Sequence, residues 1–275
     1  MESKKGKIYI VATPIGNLED ITLRAIRILK EVDLIAAEDT RHTLKLLNYF
    51  NISKPMISYY RHNENERKYD LIEKLENGEN IALVSDAGTP GISDPGEEII
   101  KECIKRKIEI IPLPGACASI NALICSGLDT SQFTFIGFLP TNKKNRDVKM
   151  KEIEESSNTI ILYESPHKIK TTLKDLSFLA NRKVVLAREI TKIHEEFLRG
   201  TVDELLQNSD NLKGEIVIVI EKNNNKKQKK LKELSTKDLY NIYEKEGLDK
   251  KEIIKKIAKD KNVSKNIIYQ EFLKN

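Results

Sequence analysis

The segment Val84–Gly96 reads VSDAGTPGISDPG and closes an apolar run, Asn80–Val84, that is typical of a buried strand. Its last twelve residues hold three glycines, two prolines and two aspartates. Such a small, rigid loop can offer backbone N–H and C=O groups and a carboxylate to a ligand. The alternative is an elaborate turn into a helix, for which Asp94 and Pro95 give a sufficient local reason because they suit a helix start. We therefore assign Asp94 to helix capping and Asp86 to ligand binding.

The chain around this loop alternates strand-like and helix-like segments, which predicts a mostly parallel sheet covered by helices on both faces. The other strand-like runs of this first unit are Lys7–Thr13, Leu34–Ala37, Pro55–Tyr60 and Ile108–Pro112. The intervening helices are expected at Ile21–Val32 (with Asp20 as N-cap), Thr43–Phe50 and about Asn65–Glu76. In such sheets ligands bind at the loops that leave the carboxyl ends of the strands.

A polar break at Ser126–Gln132 precedes a second α/β unit. Its predicted strands are Phe133–Leu139, Thr159–Tyr163, Lys183–Ala187, Phe197–Val202 and Glu215–Ile220, and its predicted helices are Lys143–Glu155 and His167–Leu179. We expect four parts: an N-terminal α/β domain over residues 1–130, a second α/β domain over 131–221, a lysine-rich linker over 222–234 and a small helical domain over 235–275. The last part resembles a helix-turn-helix, and a plain helical cap fits it as well.

Charge is concentrated at the C-terminal end. Residues 222–275 carry 16 lysines against 8 acidic residues, whereas residues 1–221 carry 31 Lys and Arg against 34 Asp and Glu. A basic tail suggests an anionic partner such as nucleic acid, although a solubilising end has the same composition. No apolar run approaches the roughly 20 residues of a membrane-spanning helix. With no signal-peptide core and three unpaired cysteines, the sequence predicts a cytoplasmic protein without a membrane partner or a metal site.

Three further loops carry ligand-suited residues. Thr13–Asn17 (TPIGN) follows the first strand, and most such turns are only turns. Pro112–Ser119 (PLPGACAS) opens a helix whose free N–H groups could meet a ligand, although close helix packing explains its small residues equally well. The third group, Glu38–His42 (EDTRH) with Tyr60–Glu64 (YRHNE), places acidic, basic and imidazole groups at one expected sheet edge. Such groups serve catalysis or RNA contact, and surface ion pairs would produce them too.

Taken in order, these loops resemble the tetrapyrrole methylase superfamily. The closer match is to its ribosomal branch, the 16S rRNA (cytidine) 2′-O-methyltransferases, for which cytidine 1402 is the acceptor. The residues that carry the resemblance form seven blocks between Lys7 and about Glu221: Val11–Ala25, Ala36–Thr43, Ser58–Glu64, Val84–Gly96, Leu113–Ser119, Tyr163–Lys168 and Ala187–Lys192. Seven ordered blocks make a chance match very improbable. The helical tail is similar to a domain often appended to this branch.

The resemblance implies a two-domain tetrapyrrole-methylase-like α/β fold with a small C-terminal helical domain, a homodimer, and S-adenosylmethionine bound between the two domains. Carried over by position, the cofactor-binding residues would be Pro14, Ser85, Asp86, Thr89, Cys117, Ala118, Tyr163, Glu164, Ala187 and Arg188. The sequence departs from the small-molecule branch, because Ser85-Asp86-Ala87 stands where Gly-Asp-Pro is usual. That departure fits the ribosomal branch but leaves the contact atoms open.

Methyl transfer to a ribose 2′-hydroxyl needs alignment and a base that takes the hydroxyl proton. The candidate bases are Asp39, His42, His62, Glu64, Lys192 and Glu195, with Arg41, Arg61 and Arg188 available to hold phosphate or a base edge. As catalytic residues we select Asp39, Arg41, His62, Glu64 and Lys192. The expected partner is 16S rRNA in the small ribosomal subunit. Two alternatives remain, a methyltransferase of a tetrapyrrole precursor and a non-catalytic ribosome-assembly factor that binds RNA.

Overall fold

A computed structural model of the chain describes residues 5–209, 212–223, 234–261 and 263–273. Most of the predicted lysine-rich linker, residues 224–233, lies outside the described residues. Within the described ranges, no helix has the length and apolar character needed to cross a membrane.

The first sheet has five parallel strands in the order β3-β2-β4-β1-β5. Its strands are β1 (Lys7–Val11), β2 (Leu34–Ala37), β3 (Met56–Ser58), β4 (Ile81–Val84) and β5 (Glu109–Leu113). The helices of this unit are α1 (Leu23–Glu31), α2 (Thr40–Tyr49), α3 (Glu64–Glu76), α4 (Glu97–Lys105) and α5 (Ala118–Ser126). Every residue of β2 and β4 is buried, as expected for central strands that helices cover on both faces.

The second sheet is mixed, with the order β6-β7-β10-β8-β9. Its strands are β6 (Phe133–Phe138), β7 (Thr159–Glu164), β8 (Val184–Arg188), β9 (Glu196–Gly200) and β10 (Ile216–Ile220). Only β6 and β7 pair in parallel; β10 runs antiparallel to both β7 and β8. The helices of this unit are α6 (Lys143–Glu155), α7 (Ile169–Asp175) and α8 (Val202–Gln207). The last strand, β10, is fully buried at the centre of the sheet.

Three short helices follow at the C-terminal end, α9 (Thr236–Lys245), α10 (Lys250–Lys261) and α11 (Lys265–Leu273). They bury a small apolar cluster of their own that includes Leu239, Ile257 and Ile268. The α/β fold with a C-terminal helical region confirms the predicted fold class. The boundaries of the four predicted parts remain a proposal.

Two helix starts differ from the sequence expectation. Helix α1 is capped by Thr22, whose hydroxyl accepts a hydrogen bond from the Ala25 N–H, while Asp20 ends a preceding 3-10 turn. Helix α4 begins two residues after Pro95, its N-cap is Gly96, and it has no side-chain cap. The assignment of Asp94 to capping is therefore wrong. The loop needs φ values of +84° at Gly91 and +148° at Gly96, so the chain turns before the helix can begin and carries Asp94 elsewhere.

Candidate active site

The strand order decides which loops meet. Because β4 lies between β2 and β1, the loops that leave these three strands are neighbours at the carboxyl edge of the first sheet. The loop after β1 is tied to the loop after β4 by an isolated antiparallel bridge between Thr13 and Gly88. The Thr13 hydroxyl adds a hydrogen bond to the Ser85 carbonyl at 3.2 Å. This junction divides the edge into two cavities.

The first cavity has a volume of about 410 Å³ and lies where the edge of the first sheet faces β7 and β10 of the second. Its size falls within the range of small-ligand sites. Its lining is Ile15, Glu38, Asp86, Ala87, Gly88, Thr89, Ile92, Ser93, Asp94, Cys117, Ala118, Phe138, Tyr163, Glu164, Ser165, Pro166, Ile190, Glu215, Ile216 and Val217. Apolar walls with a few convergent polar groups are typical of a cofactor or substrate site.

Three carboxylates, those of Glu38, Asp86 and Asp94, converge on one side of the first cavity. Burial raises the pKa of Glu38, and the negative charge of Asp94 adds to that effect. Burial likewise raises the pKa of Asp94, and a hydrogen bond from Ser85 opposes the rise. The guanidinium of Arg61 offsets part of this negative charge. The carboxylates on this side of the first cavity therefore favour a cationic ligand over an anionic one.

Backbone hydrogen bonds hold Asp86 in place from the neighbouring loop. The Asp39 N–H donates to Asp86 Oδ1 at 3.0 Å. In return, the Asp86 N–H points to Glu38 Oε2 at 3.4 Å. The loops after β2 and β4 are thus cross-linked, and Asp86 cannot shift without moving Glu38.

The opposite wall of the first cavity is aromatic. Tyr163 at the end of β7 meets Phe138 edge to face, with ring centroids 5.7 Å apart, and meets Phe135 in the same way at 5.0 Å. Burial raises the pKa of Tyr163, so its hydroxyl stays protonated at neutral pH. Phe138 is itself 61% exposed, which leaves its ring available to a ligand.

A second cavity of about 300 Å³ lies on the other side of the Thr13–Gly88 bridge. Its lining is Thr13, Pro14, Gly16, Leu18, His42, Lys45, Leu46, Tyr49 and Asp86. Among the described residues, Asp86 is the one that the linings of the two cavities share. The loop after β1 alternates between them, because Ile15 faces the first cavity while Pro14 and Gly16 face the second.

Of the ten predicted cofactor residues, six line the first cavity: Asp86, Thr89, Cys117, Ala118, Tyr163 and Glu164. Pro14 lies in the second cavity instead. Ser85 is buried behind the loop. Ala187 and Arg188 are in neither lining. Ala187 is fully buried in the core beside α5, and Arg188 forms an ion pair with Glu196. The second sheet contributes β10 residues in their place, because β10 and not β8 is the neighbour of β7.

The predicted catalytic residues separate into three places. Asp39 caps α2 and forms an ion pair with Arg41 at 2.8 Å, and this pairing holds the pKa of Asp39 well below its usual range. The Arg41 side chain is 89% exposed. His62 is exposed beside the Tyr60 ring, and Glu64 begins α3; neither is in the lining of the first or the second cavity.

Lys192 lies outside both linings as well. It forms ion pairs with Glu189 at 2.9 Å and Glu215 at 3.4 Å. Burial lowers its pKa, but these two partners outweigh burial and raise it. Its aliphatic stem packs against Gly16. Lys192 therefore fastens the second sheet's loops to the loop after β1 and stays protonated, which leaves it unsuited to accept a proton.

The sequence interpretation missed several lining residues, and only some left a signal. Glu38 belongs to the loop predicted to serve catalysis or RNA contact but is not among the candidate bases, and Asp94 is predicted to be a helix cap. Residues 42, 45, 46 and 49 repeat at helical spacing along α2, which marks one face of that helix. Glu215 and the first two residues of β10, Ile216 and Val217, look like ordinary strand residues and give no signal. Among the described residues, no group of three or more His, Cys, Asp or Glu is arranged to hold a metal ion.

The chain matches a family model described as "Tetrapyrrole (Corrin/Porphyrin) Methylases" over residues 7–206. It is 49% identical over 271 residues to a protein of Halalkalibacterium halodurans named "Ribosomal RNA small subunit methyltransferase I", covering 96% of this chain and 94% of that protein. It is 44% identical to a Bacillus subtilis protein of the same name, covering 98% and 95% of the two chains.

Solved structures with a similar fold are more distant in sequence. Uroporphyrin-III C-methyltransferase from Thermus thermophilus, complexed with S-adenosyl homocysteine, matches with a TM-score of 0.56 at 15% identity over 78% of this chain and 97% of that one. Diphthine synthase matches with a TM-score of 0.60 at 14% identity over 78% and 90%. At these identities the likeness concerns the fold.

Proposed function

This chain belongs to the tetrapyrrole (corrin/porphyrin) methylase family, and on that premise we propose that it methylates RNA of the small ribosomal subunit with S-adenosylmethionine as the methyl donor. The observation that carries the proposal is the 49% identity over nearly the whole chain to a protein named for that activity. The finer part of the proposal is the acceptor, the ribose 2′-hydroxyl of cytidine 1402 in 16S rRNA. The seven sequence blocks and the exposed basic groups around the site support it.

The first cavity suits S-adenosylmethionine, whose sulfonium and ammonium groups outweigh its carboxylate and leave one net positive charge. Glu38, Asp86 and Asp94 supply the complementary negative charge. Ile15, Phe138 and Val217 offer apolar surface to an adenine ring. Gly88, at φ +79°, keeps the wall thin, since a Cβ there would stand 3.3 Å from Ile15 Cγ2. We propose that five of the six predicted residues in this cavity, Asp86, Thr89, Cys117, Ala118 and Tyr163, hold the donor, and that Glu164 supports the wall through its hydrogen bonds with Ser165 and Thr172. The donor supplies an electrophilic methyl group.

The chain's own contribution to the chemistry is alignment and a proton acceptor. As the ribose oxygen gains the methyl group, its proton must leave, and the electron pair of the broken carbon–sulfur bond stays on sulfur. Asp39 has a lowered pKa and Lys192 is a protonated cation, so neither is a good acceptor. We propose that the Asp86 carboxylate takes the proton, because Asp86 borders both cavities and the Asp39 N–H fixes it.

Arg41 and Arg61 are the proposed positioning groups at the entrance. One edge of the Arg41 guanidinium is paired with Asp39, and its remaining N–H groups can meet a phosphate because the side chain is 89% exposed. Arg61 donates to the Ser93 carbonyl at 2.7 Å and so stands at the rim of the first cavity. His62 and Glu64 lie in the same loop region and are proposed to contact RNA near the acceptor nucleotide. Reaching a single ribose generally requires that its nucleotide be unstacked.

We further propose that the assembled small subunit, rather than naked 16S RNA, presents the acceptor, because residues 1–221 carry a slight negative excess and would capture free RNA poorly.

We also propose that the protein is a homodimer and works in the cytoplasm. The exposed Ile120 and Ile124 on α5 offer it an apolar surface. Ile124→Glu should then shift the sedimentation coefficient towards the monomer, and an unchanged coefficient would exclude that surface.

The decisive experiment incubates the protein and tritiated S-adenosylmethionine with purified small subunits, naked 16S RNA and a tetrapyrrole precursor in parallel. Label recovered as 2′-O-methylcytidine from subunits supports the proposal. Label in the tetrapyrrole alone identifies a small-molecule methyltransferase, and tight subunit binding without label identifies a non-catalytic assembly factor. Equal rates on subunits and naked RNA would refute the preference for the assembled subunit.

A further inference from the structure

One wall of the second cavity is a face of helix α2. His42, Lys45, Leu46 and Tyr49 follow the spacing i, i+3, i+4 and i+7 and all line the cavity. The opposite face of the same helix buries Thr43 and Leu47 in the core. Helix α2 is therefore fixed to the sheet on one side and presents these four residues to the cavity on the other.

Two of these side chains, Tyr49 and Lys45, are exposed. The Tyr49 ring is 63% exposed, and among the described residues its ring contact is with the neighbouring Phe50, perpendicular to it at a centroid distance of 4.9 Å. Lys45 is exposed and has no hydrogen bond or ion pair to any residue that the structure describes. A free aromatic ring beside a free cation is the combination that binds a nucleotide, since the ring stacks on the base and the cation meets the phosphate.

Charge separates the two cavities. The first is lined by the carboxylates of Glu38 and Asp94, which repel a phosphate. The second contains Lys45 and His42, and Asp86, at the junction, is its one acidic lining residue. A cationic methyl donor therefore prefers the first cavity, and a phosphate-bearing ligand prefers the second.

From these observations, and resting on the proposed function, we infer that the second cavity binds the acceptor nucleotide of the RNA. Tyr49 stacks on its base, Lys45 holds its phosphate, and its ribose lies towards Asp86. The wall between acceptor and donor is then the Thr13–Gly88 bridge, which is a single pair of backbone segments thick. Beside Asp86, where the two linings meet, the ribose oxygen would attack the methyl carbon directly as the carbon–sulfur bond breaks.

The test compares two variant pairs with two controls outside both cavities. Tyr49→Ala removes the ring and Tyr49→Phe keeps it, with Tyr69→Ala as the control because Tyr69 is a similarly exposed tyrosine on α3. Lys45→Gln removes the charge and Lys45→Arg keeps it, with Lys30→Gln on α1 as the control. For each variant, KM for unmethylated small subunits, its salt dependence, and the calorimetric Kd for S-adenosylmethionine are measured.

We expect Tyr49→Ala to raise KM for subunits by at least about fivefold, in line with the loss of one stacked base. Lys45→Gln should raise KM and lower the log–log salt slope by about one. Tyr49→Phe and Lys45→Arg should restore most of the affinity. The Kd for S-adenosylmethionine should stay within about twofold, as should every parameter of the two control variants.

Two results would overturn the inference while leaving the proposed function standing. One is an active wild type whose KM is unchanged in both Tyr49→Ala and Lys45→Gln. The other is a weakened cofactor Kd with an unchanged KM for subunits, which would assign the second cavity to the donor. A wild-type protein that transfers no methyl group to subunits would instead refute the proposed function itself.

Discussion

Thr13 and Gly88 exchange two backbone hydrogen bonds, Thr13 N–H to Gly88 O at 2.9 Å and Gly88 N–H to Thr13 O at 3.0 Å. They lie on different loops, 75 residues apart in sequence, and form the partition between the two cavities. Thr13 faces the second cavity and Gly88 the first. Asp86, two residues before Gly88, is thereby placed where donor and acceptor would meet. Substitutions of Asp86 can therefore test cofactor binding and proton transfer separately.

Asp86→Ala and Asp86→Asn should separate binding from proton transfer. Asp86→Ala removes the acceptor of the Asp39 N–H and a negative charge beside the donor, so we expect at least a tenfold weaker calorimetric Kd for S-adenosylmethionine. Its effect on RNA affinity should be smaller. Asp86→Asn keeps an acceptor oxygen but cannot take a proton, so kcat should fall more than cofactor affinity does. An unchanged cofactor Kd in Asp86→Ala would refute its assignment.

Glu38→Gln should change how stability depends on pH. The folded pKa of Glu38 lies above its free value of 4.5 because burial disfavours the carboxylate. The stability that this group contributes is complete below pH 4.5 and is lost as pH rises through the folded pKa. The free energy of unfolding of Glu38→Gln minus that of the wild type should therefore grow from pH 4.5 to pH 7 in urea titrations. The exposed Glu66→Gln is the control, and a difference independent of pH would contradict the expectation.

Glu164 should prove structural although it lines the first cavity. It is 6% exposed, and its carboxylate accepts from the Ser165 N–H at 2.8 Å and from the Thr172 hydroxyl at 2.6 Å. Glu164→Ala leaves the half-buried Ser165 N–H and the buried Thr172 hydroxyl without this acceptor, so the free energy of unfolding should fall by about 1–3 kcal/mol. The exposed Glu152→Ala should cost less than about 0.5 kcal/mol. A tenfold loss of cofactor affinity without destabilisation would show that Glu164 binds the donor directly.

Gly16→Ala should be destabilising because of Lys192. An added Cβ would stand 2.5 Å from Lys192 Cγ and Cε, and the backbone φ is +146°. Gly127→Ala has φ +78° with open space around the new Cβ, so it carries the milder strain of the left-handed helical region and no side-chain clash. We expect Gly16→Ala to lower Tm by more than Gly127→Ala. Adding Lys192→Ala should recover part of that loss, and no recovery would mean that the contact with Lys192 is not its cause.

Removal of the C-terminal residues should affect RNA binding and not the donor. The shortened protein should end at Asn223, so that two contacts with the second α/β unit are kept: Lys222 forms an ion pair with Asp129, and the Asn223 N–H donates to the Ser156 carbonyl. Loss of residues 224–275 should lower the affinity for small subunits and flatten its salt dependence, with the cofactor Kd unchanged. If subunit binding survives intact, the basic tail does not contact RNA.

The sequence predicted most elements of the fold because local signals suffice for them. The run Lys143–Glu155 was predicted as a helix and is α6 with the same bounds, and Leu34–Ala37 is β2. The cofactor loop was also predictable, since its glycines, prolines and Asp86 are local features. The ends of helices were harder to predict. The helix predicted over His167–Leu179 is shorter in the structure, because α7 ends at Asp175 and a 3-10 turn follows.

What the sequence by itself determined is therefore the set of strands, helices and ligand-suited loops, each encoded by residues close together in the chain. Only the tertiary structure decided which of those loops share a cavity. Because β4 lies between β2 and β1, Glu38 and Asp86 lie side by side in the lining of the first cavity. Because β10 lies beside β7, residues of β10 line that cavity and the predicted Ala187 and Arg188 do not. Strand order results from long-range packing of buried faces. No local pattern therefore encodes the backbone bridge between Thr13 and Gly88 or the position of Asp94 in the lining of the first cavity.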